Sequence, residues 1–168
     1  MRPKDQLSDS KSYTVVPRTL IFLTRGTQVL LLKGAPDKRL WAGKYNGIGG
    51  HLEPGETPYR SALRELKEET GLDIDALTLR AIVHVTLPKD PRRDRSGVIL
   101  FVFVGTAQDW DLESSPEGVP VWVERAELAS LPLVEDLPEL LPRVLEPGPV
   151  FFAHYDVTDR GLRISFEP

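Results

Sequence analysis

Five glutamates fall between Glu53 and Glu69 in this chain: Glu53, Glu56, Glu65, Glu68 and Glu69. Glu65, Glu68 and Glu69 stand at i, i+3 and i+4, so a helix carries all three on one face. Like charges at that spacing repel, and the cluster asks for a counter-ion. Hard divalent cations such as Mg²⁺ take oxygen ligands and bridge carboxylates to substrate phosphates. A solvated acidic face is the commoner meaning of a bare Glu-Glu pair, so the weight falls on what surrounds this one.

The surroundings specify a helix and a close backbone approach to it. Thr57 is an N-cap residue and Pro58 suits the first helical position, where its missing N–H is not needed. Gly71 can take the left-handed conformation that ends a helix. Between them Ala62, Leu63 and Leu66 form an apolar stripe at helical spacing. Upstream, Gly49-Gly50 lets the backbone approach a metal or a phosphate without a Cβ in the way.

Written as a pattern, the stretch is Gly50, five residues, Glu56, seven residues, Arg64-Glu65-Leu66, one residue, Glu68-Glu69, one residue, Gly71-Leu72. It resembles the Nudix box at every fixed position. The resemblance implies an α/β/α sandwich with a mixed sheet between helices; the residue pattern alone gives one α/β domain. It also implies hydrolysis of a diphosphate linked to a nucleoside, with Mg²⁺ or Mn²⁺ as cofactor. In that family Glu65, Glu68 and Glu69 would be metal ligands, with the Gly50 carbonyl as another. Glu56 would hydrogen-bond or bind metal through water, and Arg64 would hold a box carboxylate in place. The catalytic base is a box glutamate in some members and lies on a later loop in others. Here the later-loop candidate is Glu117, five residues before Trp122, as in MutT-type members, and the resemblance also makes it a candidate metal ligand.

Flanking residues bear on the substrate. Lys44-Tyr45-Asn46-Gly-Ile-Gly-Gly-His51 is similar to a stretch of the oxidised purine nucleoside triphosphate hydrolases of this family, in which an Asn reads the base. A side-chain amide at Asn46 offers donors and an acceptor to a purine edge; an Asn before Gly is also a common turn. Tyr45 and Trp41 either pin their loop to the core or stack on a base, and His51 stands where relatives place a Lys near phosphate. The acids of the base pocket have no direct counterpart: Glu139 in Leu137-Pro-Glu-Leu140 replaces one, or Glu135-Asp136 supplies both in a shifted register. The leading expectation is a nucleoside triphosphate, oxidised or not, cut to monophosphate and pyrophosphate. Pro88, 16 positions after Leu72, and the arginines 92, 93 and 95 instead suit an ADP-ribose or dinucleotide polyphosphate hydrolase. A nucleotide-sensing domain without catalysis is the alternative of another class, disfavoured by the full set of box acids.

Bulk properties set the frame. The chain has 168 residues, 40% of them hydrophobic and 27% charged, with a formal net charge of −4 and no cysteine. That size suits one domain with a proper core. The negative charge argues against a nucleic-acid polymer or an anionic membrane as partner. The absence of cysteine removes disulfides and thiolate chemistry. Val98–Val104, the longest apolar run, falls far short of the ~20 residues that span a bilayer. Residues 1–12 read as a polar leader and 13–168 as the domain, with a cytoplasmic location expected. Homodimerisation is compatible with the family, without an interface signature here.

In chain order, strands are expected at Tyr13–Thr24 and Gln28–Lys33, at Leu77–Leu87 and Gly97–Thr106 as a hairpin, at Val119–Val123, and in a terminal hairpin turning at Asp159-Arg-Gly161. Arg125–Leu131 and Glu135–Leu145 read as helical, with Pro138 and Pro142 expected to break the second or push it toward short turns. His84 and His154 read as structural.

Overall fold

A computed structural model describes residues 13–88, 96–108 and 111–168. Eight strands and two α-helices follow in order: β1 (Thr14–Arg25), β2 (Gln28–Gly34), β3 (Tyr45–Asn46), α1 (Pro58–Thr70), β4 (Leu77–Thr86), β5 (Ser96–Thr106), β6 (Gly118–Glu124), α2 (Leu137–Leu145), β7 (Phe151–Thr158) and β8 (Gly161–Glu167), with a 3-10 turn at Arg125–Ser130. The arginines at 92, 93 and 95 and the expected leader lie outside the described residues.

The sheet runs β3-β2-β1-β5-β4-β7-β8, with β6 also paired to β2. β1 and β5 are parallel in register from Thr14↔Ser96 to Thr24↔Thr106, β4 and β5 form the antiparallel hairpin, and β7 runs parallel to β4. The sheet is therefore mixed. β1 and β2 pair only beside their turn, at Thr24↔Val29 and Arg25↔Gln28. Beyond it they splay, and the chain from Tyr45 to His51 fills the wedge. Tyr45 and Asn46 pair with Lys33 and Leu32 of β2, while Ile48 and His51 bridge to Ile21 and Arg18 of β1.

Alternation along the strands feeds two cores. On one face Ile21, Leu23, Leu30 and Phe103 pack with Ala62 and Leu66 of α1. On the other, Phe22, Leu31, Val83 and Val102 pack with Leu137, Leu140, Leu141 and Val144 of α2. The helices thus cover opposite faces, which is the expected α/β/α sandwich.

One expectation is corrected. Pro138 and Pro142 do not break α2: Pro138 sits in its first turn, where no N–H is needed, and Pro142 lies inside a continuous helix. A mid-helix proline costs ~3 kcal/mol, whereas each fully buried Leu or Val contributes ~1.5–3 kcal/mol. With Leu137, Leu140, Leu141 and Val144 all within 1% of full burial, packing wins. The two histidines are structural as expected: His84 and His154 stack across β4 and β7 with ring centroids 5.3 Å apart, and hydrogen-bond the hydroxyls of Tyr13 and Thr86. Among the described residues no helix is long and apolar enough to cross a membrane.

Candidate active site

Helix α1 begins and ends where its sequence says. The Thr57 hydroxyl accepts the Arg60 N–H at 3.3 Å, and Gly71 closes the helix at φ 76° while its N–H reaches the Lys67 carbonyl. A Thr cap of this kind is worth ~1 kcal/mol. Burial of Ala62 and Leu66 fixes the rotation of the helix, turning Glu65 and Glu69 toward the wedge strand and leaving Glu68 near solvent.

The wedge strand meets α1 at its glycines. At Gly49, with φ 146°, an added Cβ would stand 2.2 Å from the Thr19 carbonyl oxygen. At Gly50 it would stand 2.3 Å from Oε1 of Glu65, so that carboxylate lies directly on the Gly50 backbone. The Gly49 N–H donates to Oε2 of Glu69 at 3.1 Å. Glu69 is only 5% exposed. Burial pushes its carboxyl up to about 7, the nearby charges of Glu65 and Glu117 push the same way, and the Gly49 N–H opposes them.

Arg64 organises the remaining acids. Its Nε and Nη2 grip both oxygens of Glu56 at 2.7 and 3.0 Å, Nη1 reaches Glu65 at 3.0 Å and Glu68 at 3.1 Å, and Nη2 also donates to the His51 carbonyl. Hydrogen bonds from Arg64 hold the Glu56 carboxyl down to about 2. The same partners raise the guanidinium further above its already high range.

Beside Glu69 opens a cleft of about 70 Å³, lined by Arg18, Lys38, Trp41, Lys44, Asn46 and Glu117 among others. Glu117 pairs there with Lys38, and Lys44 pairs with Glu135 across the mouth. The Asn46 side-chain oxygen accepts the Gly47 N–H at 2.8 Å, which leaves its amide donors for the cleft. Trp41 has φ 58°, the sole positive value at a non-glycine residue among the described ones. A bulky residue in this region holds strain of ~1–3 kcal/mol. Its carbonyl accepts the Lys44 N–H at 3.0 Å, closing a turn within the loop.

The sequence-derived residues are thus distributed unevenly. Glu65, Glu69, Gly50, Glu117 and Asn46 converge, with Arg64, Glu56 and Glu68 forming an ion-paired flank. Tyr45 turns instead to the core on the α2 side, with the Lys33 ammonium 5.7 Å from its ring. The His51 side chain is exposed; its carbonyl, not its ring, makes the contacts with Ser61 and Arg64. Glu139 sits exposed on the first turn of α2 and lines no part of the cleft.

Arg18, Lys38 and Trp41 enter the cleft without a signal in the box. A polar pair that lines no part of the cleft, Asp136 and Tyr155, also lacks a signal in the box. The Tyr155 hydroxyl is buried without a hydrogen bond, beside the Asp136 carboxylate but outside bonding geometry. Burial raises the pKa of Asp136. Asp136 follows the segment that bonds the wedge strand, where Tyr45 N–H meets the Pro132 carbonyl and Val134 N–H the Tyr45 carbonyl, each at 3.0 Å.

The donor chemistry suits a hard divalent cation. Carboxylate oxygens of Glu65 and Glu69 flank the Gly49-Gly50 backbone. Among the described residues no three acids or histidines form a ready cage. Arg64 occupies Glu65 and Glu68, and a cation has to draw them from it.

A family model for the NUDIX domain matches residues 15–144. The chain belongs to the NUDIX domain family. Nudix hydrolases generally use divalent metal ions and act on small-molecule nucleotides. The chain is 27% identical to the oxidized purine nucleoside triphosphate hydrolase of Mus musculus over 95% of each protein. It is 31% identical to the nucleoside triphosphatase NudI of an Enterobacter strain, over 63% of this chain and 79% of that one. Among solved structures it is similar to a mutator MutT protein from Bacillus halodurans, with TM-score 0.74, 25% identity, and 89% and 97% of the two chains covered. The protein is a Nudix hydrolase in fold and family.

Proposed function

We propose that this Nudix hydrolase is a Mg²⁺-dependent pyrophosphohydrolase that cuts a nucleoside triphosphate to the monophosphate and pyrophosphate. The observation that carries the reading is the placement of Glu69 and Glu65 against Gly49-Gly50, at the floor of a cleft whose wall carries Asn46, Lys38 and Lys44. Acidic floor and basic wall together fit a phosphate chain held through a cation. The mouse and Enterobacter relatives, named for nucleoside triphosphates, support the substrate class.

Glu65, Glu68, Glu69 and the Gly50 carbonyl would hold the metal, with Mn²⁺ as a substitute and Glu56 contributing through water. Bound there, the metal neutralises charge on the phosphates and acidifies a water. Arg64 positions Glu56 and Glu65 through its planar fork. Glu117 lines the same cleft and is the base that takes the proton of the attacking water. Water oxygen bonds to a phosphorus of the α–β bridge, the bridging P–O bond breaks, and the monophosphate and pyrophosphate leave. Asn46 offers its amide donors to the base, and Asp136, two residues past the segment bonded to the wedge strand, is the acid assigned to the purine edge. The partner is a small nucleotide and not a nucleic-acid polymer, in keeping with the net charge of −4.

The test is a phosphate-release assay with Mg²⁺, coupled to pyrophosphatase or phosphatase. Its panel holds normal and 8-oxo nucleoside triphosphates, ADP-ribose and diadenosine polyphosphates. Pyrophosphate released from a triphosphate, lost by more than ~100-fold in Glu68→Gln with Tm unchanged, supports the reading. Activity confined to ADP-ribose or a dinucleotide overturns the substrate. Silence across the panel from folded, metal-bound protein overturns the activity.

A further inference from the structure

The cleft wall carries three cations, and they differ in how they are neutralised. Lys38 is paired with Glu117 and Lys44 with Glu135. Arg18 is in no ion pair among the described residues, although it is partly buried. The charges of Glu65, Glu117 and Glu69 act on it from a distance, while burial lowers its pKa. A guanidinium stripped of water and left without a partner is unfavourable until an anion meets it.

Its position in the wedge says which part of a ligand that anion is. Arg18 bridges to His51, and the Thr19 N–H donates to the Gly50 carbonyl at 2.9 Å. Arg18 therefore stands level with the glycine step that holds Glu65 and Glu69. Asn46 lies further along the same strand, where it pairs with β2. The planar fork of a guanidinium matches phosphate oxygens two at a time.

We propose that Arg18 anchors a phosphate subsite in the cleft, gripping the outer phosphates of the bound nucleotide and, after cleavage, the pyrophosphate. The context rests on the triphosphate reading above, but the ligand chemistry is phosphate alone, and inorganic pyrophosphate probes it directly. A residue that only balances the acidic cluster would change Mg²⁺ binding and stability together; a phosphate anchor separates them.

The experiment is calorimetric titration of the full chain and of Arg18→Met and Arg18→Lys, with Mg²⁺ alone and with inorganic pyrophosphate in the presence of Mg²⁺. Steady-state kinetics on the best triphosphate and a thermal melt accompany it. Arg18→Met is expected to weaken pyrophosphate binding by roughly tenfold or more and to raise KM in parallel, as loss of a charged hydrogen-bonding group does. Affinity for Mg²⁺ alone should stay within about twofold, and Arg18→Lys should recover part of the loss, having the charge without the fork. Unchanged pyrophosphate affinity in Arg18→Met overturns the proposal, as does a wild type that binds no pyrophosphate. A change in Mg²⁺ affinity as large as that in pyrophosphate affinity, a gain above all, overturns it in favour of a counter-ion. If the wild type cleaves no triphosphate while Arg18→Met still loses pyrophosphate, the function falls and the subsite stands.

Discussion

Arg64 and Glu56 are eight residues apart and meet through two parallel hydrogen bonds, Nε to Oε1 at 2.7 Å and Nη2 to Oε2 at 3.0 Å. The pair clamps the loop before α1 to the second turn of the helix. The same guanidinium then reaches Glu65 and Glu68, so the loop's position and the orientation of the proposed metal ligands are set by one side chain.

Arg64→Lys preserves charge but not the fork. We expect kcat to fall roughly 10- to 100-fold, the usual effect of removing a residue that orients ligands. A double-mutant cycle of Arg64→Lys with Glu56→Gln should show a coupling energy of about 1–3 kcal/mol in stability. Additive effects would mean that the grip does not organise the site.

The two wedge glycines should fail differently when given a side chain. Gly49→Ala sets a Cβ against the Thr19 backbone, which cannot move aside, and is expected to lower stability by ~2–4 kcal/mol. Gly50→Ala meets the Glu65 carboxylate first, a side-chain end that can move. It should leave the protein folded and displace Glu65, weakening Mg²⁺ affinity at least ~10-fold. Thermal melts and Mg²⁺ titration of both variants separate the two cases.

Asn46 and Glu139 are both candidates for contacting the substrate in the sequence, and their placement divides them. Asn46→Ala should raise KM for a nucleoside triphosphate roughly tenfold, as loss of a base hydrogen bond does. Glu139→Ala should change KM by less than about twofold, because Glu139 stands exposed on α2 away from the cleft. A large effect of Glu139→Ala would move the nucleotide to the α2 side.

Asp136 sets stability against binding. Its pKa is raised by burial, so ionising it opposes folding. The penalty appears as pH climbs above the unfolded value of about 3.9 and is complete above the raised folded value. Asp136→Asn should therefore raise Tm at pH 7, with an advantage that vanishes below about pH 4. The same variant should lose affinity for the nucleotide if Asp136 reads the base. A Tm gain that persists unchanged at pH 3.5 would trace the effect to something other than ionisation.

The helix, its caps and its acids were legible because their signals are local. Thr57, Pro58, Ala62, Leu66 and Gly71 lie within two turns of what they control. The strands were legible from β-branched runs, to within a residue or two for β2, β4 and β5. What joins them was not. The parallel pairing of β1 with β5 brings Thr14 beside Ser96 through long-range burial, with no mark in either segment. Arg18 shares that cause: it reads as a charge within a strand, and only the bridge to His51 places it in the cleft. Pro142 misled in the other direction, because its local cost is visible in sequence while the burial that outweighs it is tertiary. Asp136 was visible as a candidate acid, but its buried neighbour Tyr155 comes from β7, across the core.

The wedge strand is also a ruler. Asn46 pairs with β2 and Gly50 is bonded to β1, so the four steps between them are held at both ends. An extended chain rises at most about 3.3–3.6 Å per residue, which sets that span at no more than ~14 Å. In the proposed reading, with the base at Asn46, this fixed length of backbone would present the phosphates at Gly50, and the bond that is cut would be chosen by distance from the base. Shortening or lengthening the strand by one residue would shift the acids along the phosphate chain before it changed which base is recognised.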